Sequence, residues 1–403
     1  MTKERPAIKE GVTSRLGAAS VVGQVMREGA WTSLAVRAAA RDLSSEDART
    51  LEGLVYGTIR HLASLDPAIH EKSTRSAIDD AVLDQLRVGT FEIWYGRAPK
   101  PIAVDTAVES IRIVHPRSAG FVNAVMRKIS QIPPPSDRTS RLCLPSWLIE
   151  SLDHVWGERE VDDFATASLQ PAPVAVRLRP GQSPPPGSRP FEGIEGAYEL
   201  EGRLVAGARA YPLADPSSVA VVSALGVERG QRVADLAAAP GGKTMDIADR
   251  LGHDGMVVAS DPKRRRALRA ARRVPQAQWM IADGRAPALR GRRFDRVLID
   301  APCSGLGTLR RRPELRHRAT PAEVVRLATL QRQMLAAGFE LVADGGRLVY
   351  SVCTVTPEET VDQVRDLGAK PPGGLPGREW GGGWLLAPHL TGTDGMFVAV
   401  FDR

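Results

Sequence analysis

From Ser14 to about residue 130 the apolar positions recur at intervals of three and four. The runs are SRLGAASVVGQVMREG, AVRAAARDL, SSEDARTLEGLVYGTIRHLASLDPAI, SAIDDAVLDQLRVGTFEIWYG, IAVDTAVESIRIV and GFVNAVMRKIS. That spacing puts one apolar stripe on each helix and predicts a compact all-helical domain over residues 1–132. Ser44 or Ser45, ahead of Glu46 and Asp47, supplies an N-cap with acids in the first turn. The consecutive prolines of QIPPPSDRTS end the last helix and favour an extended path, so residues 133–140 read as a linker. Over 141–210 the pattern is mixed, with PSWLIESLDHVWG helical, PVAVRLRP a strand and GQSPPPGSRP a surface loop, as in a small α+β connector. From about Gln231 short apolar runs alternate with helical stretches: RVADLAA, GMVVASD, AQWMIADG, FDRVLIDAP, GRLVYSVCT and MFVAVFD. This rhythm predicts an α/β Rossmann-like domain over 211–403, a mostly parallel sheet with helices on both faces, whose ligands gather at the carboxyl ends of the strands.

Those strand ends carry the chemistry. VADLAAAPGGKTMDIA runs from a strand through a glycine turn into a helix, which lets backbone N–H groups approach an anionic or polar ligand. A P-loop would need glycine where Ala237 stands, and the dinucleotide pattern GxGxxG is absent. A turn without a ligand is the plain alternative. Acids close the next two strands, Asp261 in VVASDP and Asp283 in WMIADG. An acid about 20 residues past a glycine turn can accept from ribose hydroxyls, and one on the following strand can meet an adenine amino group, although single aspartates after strands are also common helix caps. Together they outline an adenosine pocket lacking a phosphate cradle, and adenosylmethionine fits it best. The fourth strand ends at Asp300, Pro302 and Cys303, and the fifth at Cys353, 50 residues later.

Composition adds bounds. The chain of 403 residues is 43% hydrophobic and 25% charged, with no apolar run of about 18 residues to cross a bilayer. The N-terminus MTKERPAIKEGVTSRLGAAS lacks the apolar stretch of an export signal, which predicts a cytoplasmic protein. Three cysteines, none in a CxxC pair, read as free thiols without a zinc site or other metal, and Cys143 in RLCLPSW reads as a small buried hydrophobe. Lys plus Arg exceed Asp plus Glu by 54 to 47, a net charge of +7 that suits a polyanion. Arg310, Arg311, Arg312 and Arg316, shortly after the end of the fourth strand, are the expected contacts to a nucleic-acid backbone; the basic run from Lys263 to Arg266 reads as a solvated helix start. Aromatic residues are only 5%, so broad stacking platforms for single-stranded nucleic acid are not evident. Nothing in the pattern calls for more than a monomer.

The series DLAAAPGGKT, SDP, ADG, DAPCSGLGTLRRRPE, GGRLVYSVCTVTPEE and TDGMFVAVF closely resembles the RNA 5-methylcytosine methyltransferases of the RsmB/Sun and Nop2 family. ADPSSVAVVSAL resembles that family's lead-in helix, and the helical domain ending GFVNAVMRKI resembles the NusB-like RNA-binding domain of its RsmB (Fmu) branch. The resemblance implies S-adenosylmethionine held by Ala237, Ala238, Ala239, Pro240, Gly241, Gly242, Lys243, Asp261, Asp283 and Asp300, with Lys243 anchoring the methionine carboxylate or ordering the loop. Family members often have cysteine where Ala237 stands, a departure that small size at the cofactor turn tolerates.

The chemistry can be argued beside the resemblance. Carbon 5 of cytosine is a poor nucleophile, so a thiolate must first add to carbon 6, and release afterwards calls for a base and a second assisting group. Asp300 is suited to the ring nitrogen and amino edge. Either cysteine could face the base on spacing alone. The resemblance assigns attack to Cys353 and product release to Cys303, while DNA cytosine methyltransferases, which use a Pro-Cys cysteine at the fourth motif, keep Cys303 as the alternative nucleophile. The implied substrate is small-subunit (16S) ribosomal RNA. Transfer RNA and a non-catalytic RNA-binding assembly role are the alternatives, against which stand the NusB-like domain and the intact cysteines respectively.

Overall fold

The computed structural model describes residues 11–200, 210–289 and 291–403. The first residues of the segment read as lacking an export signal lie outside them. The described chain forms two compact units, residues up to Ile149 together with Arg311–Arg318, and Glu150–Arg310 together with Ala319–Arg403.

The first unit is built on α1 (Val12–Arg27), α2 (Thr32–Ala39), α3 (Ser45–Lys72), α4 (Asp80–Tyr95), α5 (Lys100–Val114) and α6 (Ala119–Ser130), one helix for each periodic run of the sequence. Ser44 is the N-cap of α3, its side chain accepting from Asp47 N. The helices close on Leu62, Leu65, Ile69, Leu86, Ile111, Val122 and Met126, and a second cluster joins Val22, Val25, Leu54 and Ile59. Inside this apolar surround the Arg15 guanidinium donates through Nε to Glu92 at 2.8 Å, a buried pair that is costly to break from one side.

The expected linker is shorter than residues 133–140. Asp137 accepts from Ser140 N and starts a short helix, α7 (Arg138–Leu142), because an aspartate placed there satisfies the first free N–H groups of a helix. The helical unit also runs past residue 132 and takes in a distant piece of chain, which includes α13 (Leu315–Arg318). That piece is held by polar contacts. Glu314 accepts from Thr32 Oγ1 at 2.6 Å, and Arg318 donates to Val25 O and Ala30 O at 2.6 Å each, satisfying carbonyls at the end of α1.

The second unit follows α8 (Ser146–Trp156) and α9 (Glu158–Leu169) with a small antiparallel sheet, β1 (Ala175–Arg177), β2 (Ser188–Pro190) and β3 (Ala197–Leu200), in the order β1-β3-β2. The Pro-rich stretch expected as loop therefore ends in an edge strand, where proline is tolerated. The main sheet comprises β4 (Arg232–Asp235), β5 (Met256–Ser260), β6 (Gln278–Met280), β7 (Phe294–Asp300), β8 (Val342–Val352), β9 (Arg378–Trp380), β10 (Gly383–Leu386) and β11 (Met396–Asp402). Among the described residues its order is β6-β5-β4-β7-β8-β11-β10-β9. The pairs from β6 to β8 are parallel, and β11, β10 and β9 add an antiparallel edge.

Alternation sorts the side chains to two faces. Val233, Val257, Leu298 and Val349 pack under α10 (Pro216–Leu225) and α11 (Gly242–Leu251) with Val221, Leu225 and Ile247. Their sequence neighbours Ala234, Val258, Val297, Ile299, Leu348 and Tyr350 pack under α14 (Pro321–Phe339) with Met334 and Leu335. Strand β4 sits between β5 and β7, so the chain leaves in opposite directions from this point and opens a crevice at the carboxyl ends of β4 and β7.

Candidate active site

The first side of the crevice is the turn after β4. Ala238 N donates to Ser260 O at 2.9 Å and Gly241 N to Ala238 O at 2.7 Å, so Ala237–Gly242 folds tightly over the end of β5. Gly241 has φ +94, and a Cβ there would meet Val274 Cγ2 at 3.2 Å; the backbone and the packing both call for glycine. Gly241 provides no side-chain cap to α11, which leaves first-turn N–H groups for a ligand. A Cβ on Gly242 would meet nothing within 4 Å, so the helix start is open on that side.

Asp261 follows β5, buried, accepting from Lys263 N at 2.8 Å and lying 3.5 Å from Arg266. Asp283 follows β6 and is half exposed; Arg285 reaches both its oxygens, at 3.1 and 2.7 Å, and that hydrogen bond holds the carboxyl below its ordinary range. The turn and the two acids lie at the ends of adjacent parallel strands, the arrangement an adenosine and its amino-acid tail require. An acid that the sequence reading did not single out lies beneath them. Asp235 ends β4, buried, and accepts from Thr244 Oγ1 at 2.7 Å; burial pushes its carboxyl up to about 7. Its signal was its place as the last residue of VAD before the turn.

The other side of the crevice is formed by the ends of β7 and β8. Asp300 Oδ2 accepts from Lys243 Nζ at 2.7 Å and Oδ1 from Ser351 Oγ at 3.0 Å. Lys243 thus links the start of α11 to the end of β7. Burial opposes its charge, but Asp300, and beyond it Cys353 and Asp235, raise its pKa above the ordinary lysine value. Cys303 and Cys353 meet with their sulfurs 3.4 Å apart, both free thiols. The hydrogen bond to Cys353, then burial, pushes the Cys303 thiol well above its usual range. In this pair Cys303 is the thiol held more firmly to its proton, and Cys353 is the one whose field reaches Lys243.

Two of the expected RNA contacts are placed otherwise. Arg310 is buried, donates to Gly392 O at 2.7 Å and lies 3.6 Å from Asp394. Arg316 is buried within the helical unit and donates to Cys143 O at 3.0 Å. Both guanidiniums satisfy carbonyls inside the protein, which withdraws them from any surface. Arg311 is partly buried, and Arg312 is exposed with its guanidinium over the Trp31 ring. Cys143 is buried, as expected of a small hydrophobe, and burial raises its thiol pKa to about 11.

Comparison with known proteins assigns this geometry to a family. Residues 222–402 match the model of the 16S rRNA methyltransferases RsmB/F, and residues 12–131 match the NusB family. The ribosomal RNA small subunit methyltransferase B of Thermus thermophilus is 34% identical, covering 89% of this chain and 88% of its own length. The chain belongs to the RsmB/F family. It is accordingly a methyltransferase that draws on S-adenosylmethionine. A putative methyltransferase of Mycobacterium tuberculosis is 32% identical over 91% of this chain and 90% of its own length. Among solved structures, the crystal structure of PH0851 shares the fold, with a TM-score of 0.80 at 22% identity over 99% of this chain and all of that one. Among the described residues no helix is long and apolar enough to cross a membrane.

Proposed function

We propose that this RsmB/F family member is an RNA (cytosine-5-)-methyltransferase acting on small-subunit ribosomal RNA, with Cys353 as nucleophile and Cys303 assisting release. The observation that carries the reading is the thiol pair itself, two sulfurs 3.4 Å apart at the ends of adjoining strands with the Lys243–Asp300 pair beside them.

S-adenosylmethionine, when bound, supplies a methyl group activated on a sulfonium. The open first turn of α11 and the turn Ala237–Gly242 suit its amino-acid end, Asp261 its ribose and Asp283 its adenine, with Asp300 closing the site toward the methyl. Cys353, once ionised, adds to carbon 6 of cytosine. A sulfur–carbon bond forms, and the ring's π electrons become available at carbon 5, which would take the methyl as its bond to the sulfonium sulfur breaks and leaves the electron pair on that sulfur. Asp300, oriented by Lys243 and Ser351, stabilises the ring nitrogen as it takes a proton.

The release step follows from what holds the Cys303 proton. The largest cause of its raised pKa is the hydrogen bond to Cys353. That bond is lost once the Cys353 sulfur is bonded to carbon, so Cys303 ionises more readily, passing its proton to solvent, and its thiolate then accepts the proton from carbon 5. The C5–C6 double bond then re-forms, the sulfur–carbon bond breaks, and Cys353 departs with the electron pair. Labelled methyl incorporation into unmodified small-subunit rRNA, read by nucleoside mass spectrometry, tests the reading. It requires 5-methylcytidine from the wild type and none from Cys353→Ala; another methylated nucleoside, or full activity of the variant, overturns it.

A further inference from the structure

One carboxylate beside the site has no part in that chemistry and is nonetheless its most heavily bonded group. Glu359, fully buried, accepts from Ser304 N at 2.9 Å, Ser304 Oγ at 2.5 Å, Gln331 Nε2 at 3.0 Å, Thr354 Oγ1 at 3.3 Å and Thr356 Oγ1 at 2.9 Å. Its backbone carbonyl accepts from Tyr350 Oη at 2.7 Å. Among the described residues no cation pairs with it, and a buried carboxylate is tolerated only when hydrogen bonds replace its water. The identity of the donors is informative. Ser304 directly follows Cys303, Thr354 directly follows Cys353, and their hydroxyls also bond each other at 2.7 Å. Two loops 50 residues apart in sequence are thereby joined one residue beyond each sulfur, and Gly307 N adds a backbone tie to Cys353 O at 2.9 Å.

We infer that Glu359 is a positioning residue whose carboxylate fixes the separation of the Cys303 and Cys353 sulfurs, and with it the transfer of a proton between attack and release. A glutamine would place an N–H group among donors, where the carboxylate offers only acceptors. The inference rests on the reading that both thiols act on the base, but its deciding readout, thiol closure, does not need the substrate. Diamide, an azo oxidant that accepts two electrons and two protons, joins two adjacent thiols as a disulfide and is reduced to its hydrazine; the rate of Cys303–Cys353 closure in full-length protein thus serves as a ruler of their spacing. Glu359→Gln is expected to slow closure at least tenfold and to lower kcat, with S-adenosylmethionine affinity and RNA KM within twofold of wild type. Glu359→Asp should lie between the two. An unchanged closure rate overturns the inference, as does a loss of activity that merely tracks the unfolded fraction. If Glu359→Gln does not fold, Ser304→Ala and Thr354→Ala each remove one arm of the clamp, and unchanged closure in both overturns the inference equally.

A separate observation concerns helix α12 (Arg264–Arg273). Lys263, Arg264, Arg265 and Arg266 occupy its N-cap and first turn, where the helix dipole favours anions, and Arg269, Arg272 and Arg273 follow without an acid in the helix. Ala267, Ala270 and Val274 form its buried seam. Arg266 and Arg273 bond the carbonyls of Ala239 and Pro240, whereas exposed Arg264, Arg265, Arg269 and Arg272 have no ion-pair partner among the described residues. Like charges at neighbouring helical positions repel, so this arrangement opposes helix formation and calls for a counter-charge from outside. The geometry points to α12 as a seat for the RNA backbone beside the cofactor turn. Replacing those four arginines by glutamine is expected to weaken binding to a small-subunit rRNA fragment about tenfold at moderate salt, to lower the log–log salt slope by about 3, and to leave S-adenosylmethionine affinity unchanged. Equal affinity and slope in wild type and variant overturn this assignment; failure of the wild type to bind the RNA at all would tell against the substrate instead.

Discussion

Replacing Asp235 by asparagine tests the electrostatics of the crevice without touching either sulfur. The carboxyl is buried at the end of β4, and its pKa stands at about 7 against an ordinary 3.8, with burial as the largest cause and Thr244 partly offsetting it. Because the folded-state value is raised, the native protein retains a proton that the unfolded chain gives up above pH 4. Stability from this group is therefore fully present below about pH 4 and declines as pH rises to about 7, beyond which the loss is constant. Three units at about 1.4 kcal/mol each set an upper bound of about 4 kcal/mol; with relaxation around the charge, about 1–3 kcal/mol is the realistic loss. Asparagine cannot ionise, and its amide oxygen can still accept from Thr244 Oγ1, which holds Asp235 at 2.7 Å. The difference in unfolding free energy between Asp235→Asn and wild type, measured by denaturant titration from pH 4 to pH 9, should move in favour of the variant by that amount between pH 4 and 7, then level off. Groups common to both proteins cancel in the difference. A pH-independent difference would refute the reasoning, since it would mean that the buried carboxyl does not hold a proton in the folded state.

The remaining expectations concern the thiols, the turn and the distant segment of the helical unit. Cys353→Ala should abolish both methylation and any covalent RNA adduct, whereas Cys303→Ala should accumulate an adduct that survives denaturing electrophoresis; the reverse pattern would exchange their roles. Gly241→Ala forces a side chain into φ +94 and toward Val274 at 3.2 Å, a cost of about 1–2 kcal/mol that should appear as a lower Tm together with weaker S-adenosylmethionine binding by calorimetry. Arg318→Ala removes two charged hydrogen bonds to Val25 O and Ala30 O and should destabilise the helical unit by about 2–3 kcal/mol. Hydrogen exchange would show faster opening of α1 and α2, and unchanged protection there would contradict the account.

Much of the architecture was legible because periodicity is local. Each of the helices α1 to α6 and each parallel strand of the second unit carries its own apolar pattern, and Asp261, Asp283, Cys303 and Cys353 were found as residues that follow such strands. The hairpin of β9 and β10 escaped notice. Its strands are short, and its turn signal, Gly381 and Gly382 at φ +55 and +87 between Trp380 and Gly383, is the kind that two-residue hairpins demand. A reading attentive to paired glycines between tryptophans would have placed it.

The arginines show a different limit. Arg310, Arg311, Arg312 and Arg316 look alike in sequence, a basic run after a catalytic motif, yet Arg310 and Arg316 satisfy carbonyls of Gly392 and Cys143, which lie 82 and 173 positions away. Glu359 is the same case with the opposite charge. Its five donors come from Ser304, Gln331, Thr354 and Thr356, so neither its burial nor its contact with both sulfur-bearing loops has any local signature. Charge in a sequence marks where an electrostatic interaction will be made, but whether the partner is water, RNA or the protein's own backbone depends on contacts that only folding brings together. For this chain the fold divides the two basic runs: Arg310 and Arg316 are enclosed, while Arg264 and Arg265 at the start of α12 are exposed, as a solvated helix start requires, and Arg266 lies 3.5 Å from Asp261.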